Sequence, residues 1–486
     1  MTDEADNFLF ILSDQHTRDV MSCMGHPSVR TPNLDALAAR GTLFRNGYCN
    51  SPLCVPSRAS LATGRFVHQI GNWDNCKPYR GEVASWAHRL NSAGIRTDSI
   101  GKLHYHSSED PNGFAQEHLP MHVMEGTGIL QTICRDPIPP LRKYRRILIA
   151  SGTGEASSYT DYDSRIVDAA VEWLRDAGES SEGPFALFVS LTCPHPPFNP
   201  PTEFRDLYAP ADVDLPEAHG MGDRPLHPGL EDFRTFFDVR DELPEDDLRR
   251  IVAAYHAMVT FTDHNVGRVL EALEASGLGA RTRVLYTSDH GESLGRKGLF
   301  GKGNMYEESV GVPMILAGRG VPEGQVCDTP VQLVDVYPTM LDAFGLEARD
   351  DGNDLPGTSL LQIANGAAPD RMILAEQHSA GARSAVFMLR DTRFKYVHYV
   401  GGYPPQLFDL EADPLERIDL AADPAHADTL ARLEAALASL VDADAVDRLV
   451  KDDQAERIAA AGGYEAVVAR GTPGYSPAPG ETPVFG

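Results

Sequence analysis

Short, nearly continuous apolar runs separated by helix-patterned segments constrain this chain most. "NFLFILSD" (7–14), "FALFVSL" (185–191), "RVLYTSDHGE" (283–292) and "VPMILAG" (312–318) each read as a strand with no solvent-facing side. A strand buried on both faces carries apolar residues without alternation, which is the mark of a sheet covered by helices on both sides. Helical patterns fall between the runs. "TPNLDALAARG" (31–41) opens with Thr-Pro and closes with Gly, residues 84–94 precede the strand-like "IRTDSIGK" (95–102), 162–176 carry helical spacing, and a long helical stretch covers 244–276. The alternation predicts an α/β fold with a mostly parallel central sheet flanked by helices.

The texture changes after about residue 370. "AVFMLRD", "FKYVHYV" and "PQLFDLEADP" follow one another with short turns, which predicts a small antiparallel sheet, then a helix near 425–441 and a Pro- and Gly-rich extended tail from about 470. The division expected is a larger unit over 1–368 and a small α+β unit over 369–486. With 486 residues the chain is long enough for both.

Charge narrows the partners. The formal net charge of −27 disfavours nucleic acid as a partner and gives no long-range attraction for an anion, so local cations or a metal must hold an anionic substrate. The seven cysteines (23, 49, 54, 76, 134, 193, 327) form no CxxC pair and no regular frame, which fits a reducing compartment. The N-terminus lacks the basic start and long apolar stretch of a signal peptide, and no window is long enough to span a membrane. The expectation is a cytoplasmic protein without a membrane partner.

Ligands of open α/β sheets bind beyond the carboxyl ends of the strands. Two strand-like runs end in polar couples, Asp14-Gln15 and Asp289-His290. Two carboxylates, an amide and an imidazole suit a divalent cation, although either aspartate alone would serve as an ordinary turn cap. "YCNSPLCVPSRASLATGR" (48–65) places Cys54 ahead of Pro56, Ser57 and Arg58 at the threshold of a helix. A thiol there could be a nucleophile, a metal ligand or a buried space-filler.

Cys-x-Pro-x-Arg resembles the recognition sequence by which type I sulfatases have a cysteine converted to formylglycine. The likeness continues through Thr63-Gly64-Arg65, "GKLHYH" (101–106), "PHPPF" (194–198) and "SDHGESLGRKGLFGKGNMYEESVGVPMI" (288–315), over roughly residues 7–345. The Gln15 and His290 variants, with "WDN" (73–75), resemble choline sulfatases and phosphonate monoester hydrolases within the alkaline phosphatase-like superfamily. The resemblance implies an alkaline phosphatase-like catalytic unit and hydrolysis of a small-molecule sulfate ester, by a hydrated formylglycine at position 54 and a divalent metal. Calcium is the expected ion, with manganese and magnesium as alternatives. It implies metal ligation by Asp14, Gln15, residue 54, Asp289 and His290. Arg58 would hydrogen-bond the nucleophile, and Lys102 and Lys302 would hold the sulfate. His104 would remove the proton that triggers sulfate release, His195 would sit at the leaving oxygen and Asn75 would contact substrate. A formylglycine-generating or radical maturation enzyme is the implied partner, and assembly into a homo-oligomer is left open. A phosphonate monoester or phosphodiester hydrolase using the same residues is the alternative reading. His16, His68 and His106 receive no role, and Tyr105 reads as a packing residue.

Overall fold

The computed structural model describes residues 7–180, 183–347, 349–350 and 353–485. Its centre is an eight-stranded sheet. The strands used below are β1 (Asn7–Asp14), β2 (Gly41–Phe44), β3 (Arg96–Lys102), β4 (Gln116–Met121), β5 (Phe185–Pro194), β6 (Thr282–Ser288), β7 (Met314–Ala317) and β8 (Gln325–Cys327), in the order β4-β3-β5-β1-β6-β7-β2-β8. From β4 to β6 every pairing is parallel. β7 runs antiparallel to both β6 and β2, so the run "VPMILAG" forms a strand of reversed direction.

The alternation of side chains in β1 divides the core. Leu9 and Ile11 join a cluster on one face, while Phe8, Phe10 and Leu12 join a cluster on the other. The helices are α1 (Pro32–Ala39), α2 (Cys54–Thr63), α3 (Trp86–Ser92), α4 (Ser158–Glu179), α5 (Glu245–Ala275) and α6 (Val336–Asp342). α4 and α5 cover the first face with Tyr162, Ile166, Leu174, Tyr255 and Val259. α2, α3 and α6 cover the second with Leu61, Trp86, Leu90 and Met340. Every residue of β1 and β5 is buried, in keeping with the apolar runs 8–12 and 185–189.

Toward the C-terminus a four-stranded antiparallel meander forms from β9 (Ile373–Gln377), β10 (Val386–Arg390), β11 (Phe394–Tyr399) and β12 (Gln406–Asp409). It is followed by α7 (Ala427–Leu440), α8 (Ala443–Ala460) and α9 (Tyr464–Arg470). β9, α8 and α9 go beyond the elements the sequence reading placed there. From Gly471 to Phe485 the chain is extended, without helix or strand. No described helix is long and apolar enough to cross a membrane. All seven cysteines are unpaired thiols.

Candidate active site

The register of four neighbouring strands assembles the site. β1 and β6 pair with Ser13 opposite Ser288, so Asp14 and Asp289 leave adjacent strand ends side by side. On the other flank of β1, Asp14 lies opposite Pro194 of β5, one residue before His195. β3 pairs with β5 up to Gly101 and Ser190, which delivers Lys102 and then His104 to the same edge. Gly101 takes a φ of +101°, and a Cβ there would meet the Ser190 carbonyl at 2.2 Å, so only glycine lets β3 bend at this point.

Residue 54 arrives from above. Cys54 is the first residue of α2, whose ten residues are all buried. The N-cap residue Leu53 offers no side-chain cap, and Asn75 supplies one instead, its Oδ1 accepting from the Val55 amide at 3.1 Å. Gly64 ends the helix at a φ of +66° against the Tyr337 side chain. The small residues Ser57, Ala59, Ser60 and Ala62 let this short helix lie fully buried.

Four potential ligand atoms, from Asp14, Cys54, Asp289 and His290, lie within 4.8 Å of one another. Cys54 Sγ is 3.8 Å from Asp14 Oδ1 and 3.2 Å from His290 Nε2. His290 Nδ1 faces the Gly291 carbonyl at 3.1 Å, an arrangement that puts the proton on Nδ1 and leaves the Nε2 lone pair for a ligand. His290 Nε2 stands 3.7 Å from Asp14 Oδ1 and 3.5 Å from Asp289 Oδ1, so electron-pair donors converge on one point. Such convergence in a buried place fits a cation. Gln15, held at a φ of +69°, presents its Oε1 to Lys302 Nζ at 2.7 Å while its Nε2 donates to the buried Glu292. Its amide oxygen is therefore at the same site but shared with the lysine.

The cations are arranged around this point. Lys102 Nζ is fully buried, 2.7 Å from Asp14 Oδ2. Lys302 Nζ lies 2.9 Å from Cys54 Sγ. Arg58 departs from the sequence expectation. Its Nε donates to Asp289 Oδ2 at 2.8 Å and its Nη2 to Asp14 Oδ2 at 3.1 Å, while Nη1 bonds the Lys102 carbonyl and Ser190 Oγ. The guanidinium thus clamps both carboxylates and is largely consumed in doing so, because two buried anions attract it more strongly than a neutral neighbour one helical turn away. Asn75 also differs: its amide oxygen is used in capping α2.

Electrostatics sort the titrating groups. Burial would raise the Asp14 carboxyl, but Lys102, His195, Lys302 and Arg58 hold it well below the usual carboxylate range. Burial and the Asp14 charge push Asp289 up to about 6. Burial lowers both His104 and His195 well below the ordinary imidazole value, helped by Lys102 and Arg58 at the first and by Lys302 at the second. Both rings are therefore neutral at neutral pH, each with one nitrogen lone pair and one N–H. His195 Nδ1 faces the Pro196 carbonyl at 2.7 Å, and its ring lies 5.6 Å from that of Tyr159. Tyr159, Glu292, Ser190 and Ser476 were not indicated by the sequence; Glu292 and Ser190 lie in stretches it marked without giving them a role, and Tyr159 and Ser476 have no motif around them.

The histidines left without a role lie elsewhere: His16 on Tyr286 and the Val20 carbonyl, His68 on Glu376, His106 on Asp110. Tyr105 packs edge-on against Tyr79.

Known proteins resemble this chain in sequence and in fold. The family description "Sulfatase" matches residues 6–346, and "N-sulphoglucosamine sulphohydrolase, C-terminal" matches residues 295–443. A choline-sulfatase of Rhizobium meliloti (strain 1021) is 31% identical over 468 residues, covering 94% of this chain and 91% of that protein. Arylsulfatase K of Danio rerio is 31% identical over 465 residues, covering 91% and 85%. Among solved structures, the phosphonate monoester hydrolase of Agrobacterium radiobacter superposes with a TM-score of 0.70 at 25% identity, covering 90% of this chain and 95% of that one. A sulfatase-like protein of Bacteroides thetaiotaomicron superposes with a TM-score of 0.73 at 24% identity, covering 92% and 94%, a likeness of fold. With the family match spanning most of the chain and full-length relatives on either side of it, the protein belongs to the sulfatase family and is a hydrolase of that family.

Proposed function

We propose that the protein hydrolyses sulfate monoesters with residue 54 as the nucleophile, after conversion of Cys54 to formylglycine by a maturation enzyme. The observation that carries this reading is the position of Cys54 Sγ, within 4 Å of Asp14 Oδ1, His290 Nε2 and Lys302 Nζ at the buried end of α2. A thiol is a soft ligand, whereas two carboxylates and an amide oxygen favour a hard cation, so an oxygen-bearing residue 54 suits the other donors better. Asp14, Gln15, Asp289 and His290 would hold the ion; the three oxygen donors suit calcium, and the His290 imidazole suits a transition ion such as manganese. A divalent cation there supplies Lewis acidity to an anionic ester and lowers the pKa of a bound hydroxyl.

The chain's own residues do the rest. Lys102 and Lys302 flank the nucleophile with two fixed positive charges, which stabilise charge on the equatorial oxygens of a transferring sulfuryl group. Arg58 keeps Asp14 and Asp289 apart and oriented. His195, beside Tyr159, is placed to hydrogen-bond the leaving oxygen and would give it a proton only from the protonated form of the ring. His104, neutral and buried, is suited to take one on the residue-54 side. Asn75 retains its amide NH2 group as a donor for substrate. The unpaired thiols support a reducing compartment.

A second reading, phosphonate monoester or phosphodiester hydrolysis, is favoured by the likeness to the Agrobacterium hydrolase and by the two neutral groups, Gln15 and His290, in the ligand set. One experiment separates them. Conversion removes roughly 18 Da from the thiol form, so the mass of the residue-54 peptide is checked first. Metal-replete converted protein is then assayed on choline sulfate, an aryl sulfate, a phenylphosphonate monoester and a phosphodiester. A sulfate ester is expected to give the highest kcat/KM, and Cys54→Ala to lose at least about a thousandfold while melting as the wild type does. A sulfate ester ranking last by a wide margin overturns the first reading in favour of the second.

A further inference from the structure

The extended C-terminal segment is fastened beside the site. Thr472 and Ala478 are buried, the latter in the main core cluster. The Tyr159 hydroxyl donates to the Ser476 carbonyl, and the Tyr475 ring stands edge-on to Tyr159 at 5.4 Å. Glu481 gathers Ser158 Oγ and Tyr475 OH, each at 2.8 Å, and the Ala478 amide at 3.0 Å. These bonds pin the strap to the first turns of α4, beside Tyr159, whose ring neighbours both His195 and Lys102.

One side chain of the strap enters the site. Ser476 Oγ lies 3.2 Å from His104 Nε2, across 372 residues of sequence. His104 Nδ1 is buried and has no partner. The backbone of His104 is left-handed, with a φ of +55°, and its amide is tied to the Met121 carbonyl at 2.9 Å, so the ring is presented from a fixed turn.

A neutral imidazole carries one N–H and one lone pair, and the partner of one nitrogen decides the state of the other. Lys102 and Arg58 are the dominant charges acting on this ring, with Asp14 and His195 also near. Positive neighbours favour a lone pair, not an N–H, on the inner nitrogen. An orphaned buried N–H is also rarer than an under-used acceptor. Both arguments place the proton on Nε2, donated to Ser476 Oγ.

We propose that Ser476 is a positioning residue for His104: it holds the ring in the Nε2–H tautomer and so presents Nδ1 as the proton acceptor inside the site. The proposal rests on the reading of His104 as the group that takes a proton during ester hydrolysis. It makes the strap part of the catalytic apparatus, since a chain cut before residue 476 would keep every motif residue and lose the tautomer control.

The test is 15N NMR of the imidazoles in the full-length protein, with the His104 signal assigned by its loss in His104→Gln, alongside kinetics on the converted, metal-replete enzyme. The expected result is a pyrrole-like Nε2 and a pyridine-like Nδ1 in the wild type, and mixed tautomers in Ser476→Ala. With that change kcat should fall about tenfold while KM stays within about twofold. Ser476→Thr, which keeps the hydroxyl, should restore both. A wild-type His104 protonated on Nδ1 overturns the proposal. So does a Ser476→Ala variant with unaltered tautomer and kcat. The NMR arm does not depend on turnover, so a wild type inactive on every sulfate ester would count against the proposed function and leave the tautomer result to decide the role of Ser476.

Discussion

At the scale of single residues, Arg58 shows how the local context of a motif is set by what lies behind it. Its guanidinium reaches both Asp14 and Asp289, each fully buried, and it is itself 2% exposed. Removing it leaves two facing carboxylates in a place water does not reach. Arg58→Met should therefore destabilise the protein by about 3–5 kcal/mol. Millimolar calcium should restore part of that loss, because a cation bound between Asp14 and Asp289 neutralises the same charges. Thermal melts with and without the ion check both statements; a variant that melts within a degree of the wild type in chelator would show that Arg58 is not what balances the carboxylates. The sequence identified Arg58, but it could not say which partner would win the side chain. That choice depends on β1 and β6 lying side by side in register, a contact between residues some 275 positions apart. Asn75 is a parallel case: "WDN" marks it, yet only the bare N-terminus of α2 explains where its oxygen goes. Ser476 lies at the other extreme, with nothing around it in sequence to distinguish it.

Elements were legible in proportion to how fully one periodicity ruled them. β1, β5 and β6 were readable because burial on both faces gives each a run of consecutive apolar residues, and α5 because 31 residues of helical pattern admit no other reading. β9 was not, since "ILAEQ" has three apolar residues and then a glutamate that a strand interior does not normally bury. The structure supplies the reason for that glutamate. Glu376 is fully buried, with Oε1 2.8 Å from His68 Nδ1 and Oε2 3.0 Å from His378 Nε2. Burial alone would raise its carboxyl, and the hydrogen bonds from His378 and His68 overcome this and hold it at about 2. A carboxyl whose folded pKa is depressed adds stability that is complete above its unfolded value, near 4.5, and is lost as pH falls toward 2. His68, raised by the same contact, acts in the opposite sense: its contribution is complete below the ordinary imidazole value and fades as pH climbs through the folded one. Urea unfolding from pH 6 to 3.5 should thus show a steep loss below pH 4.5 in the wild type and a shallower one in Glu376→Gln. Equal slopes would mean that the β9 glutamate does not carry this part of the acid sensitivity. α8 and α9 were missed for a different reason. Of the eighteen residues of α8 only Asp447, Val450 and Gln454 are buried, so its sequence shows no apolar stripe.

At the scale of the whole molecule, the question is what binds the C-terminal meander to the sheet that carries the site. Apolar packing does part of this, since Ile373, Ala375, Met388 and Val397 share a core cluster with Phe8, Phe10 and Leu12. The remainder is a buried charge network. Lys395 of β11 reaches Glu307 Oε1 at 2.8 Å, Glu416 Oε1 at 2.5 Å and the Met305 carbonyl at 2.8 Å. Glu307 in turn holds Arg18 and the Tyr48 hydroxyl, the latter at 2.6 Å, and Tyr48 accepts from Arg390 of β10. Arg18 follows the Asp14-Gln15 couple, and Glu307 follows Lys302 by five residues, so the network joins the meander to both loops that present the proposed metal ligands and sulfate-binding lysine. Such a network gains little over an apolar contact when whole, and its loss is costly because the partners stay behind as buried charges. Lys395→Met would strand Glu416 and leave Glu307 with Arg18 as its cation, and should cost about 3–5 kcal/mol. If the network couples the two sheets, the calorimetric trace of the variant should split, with an early transition belonging to the C-terminal strands and a second near the wild-type temperature, while the kcat/KM for the best sulfate ester stays within about threefold at 20 °C. If the meander were instead held only by its apolar face, which Lys395→Met leaves intact, the variant would still melt in one transition.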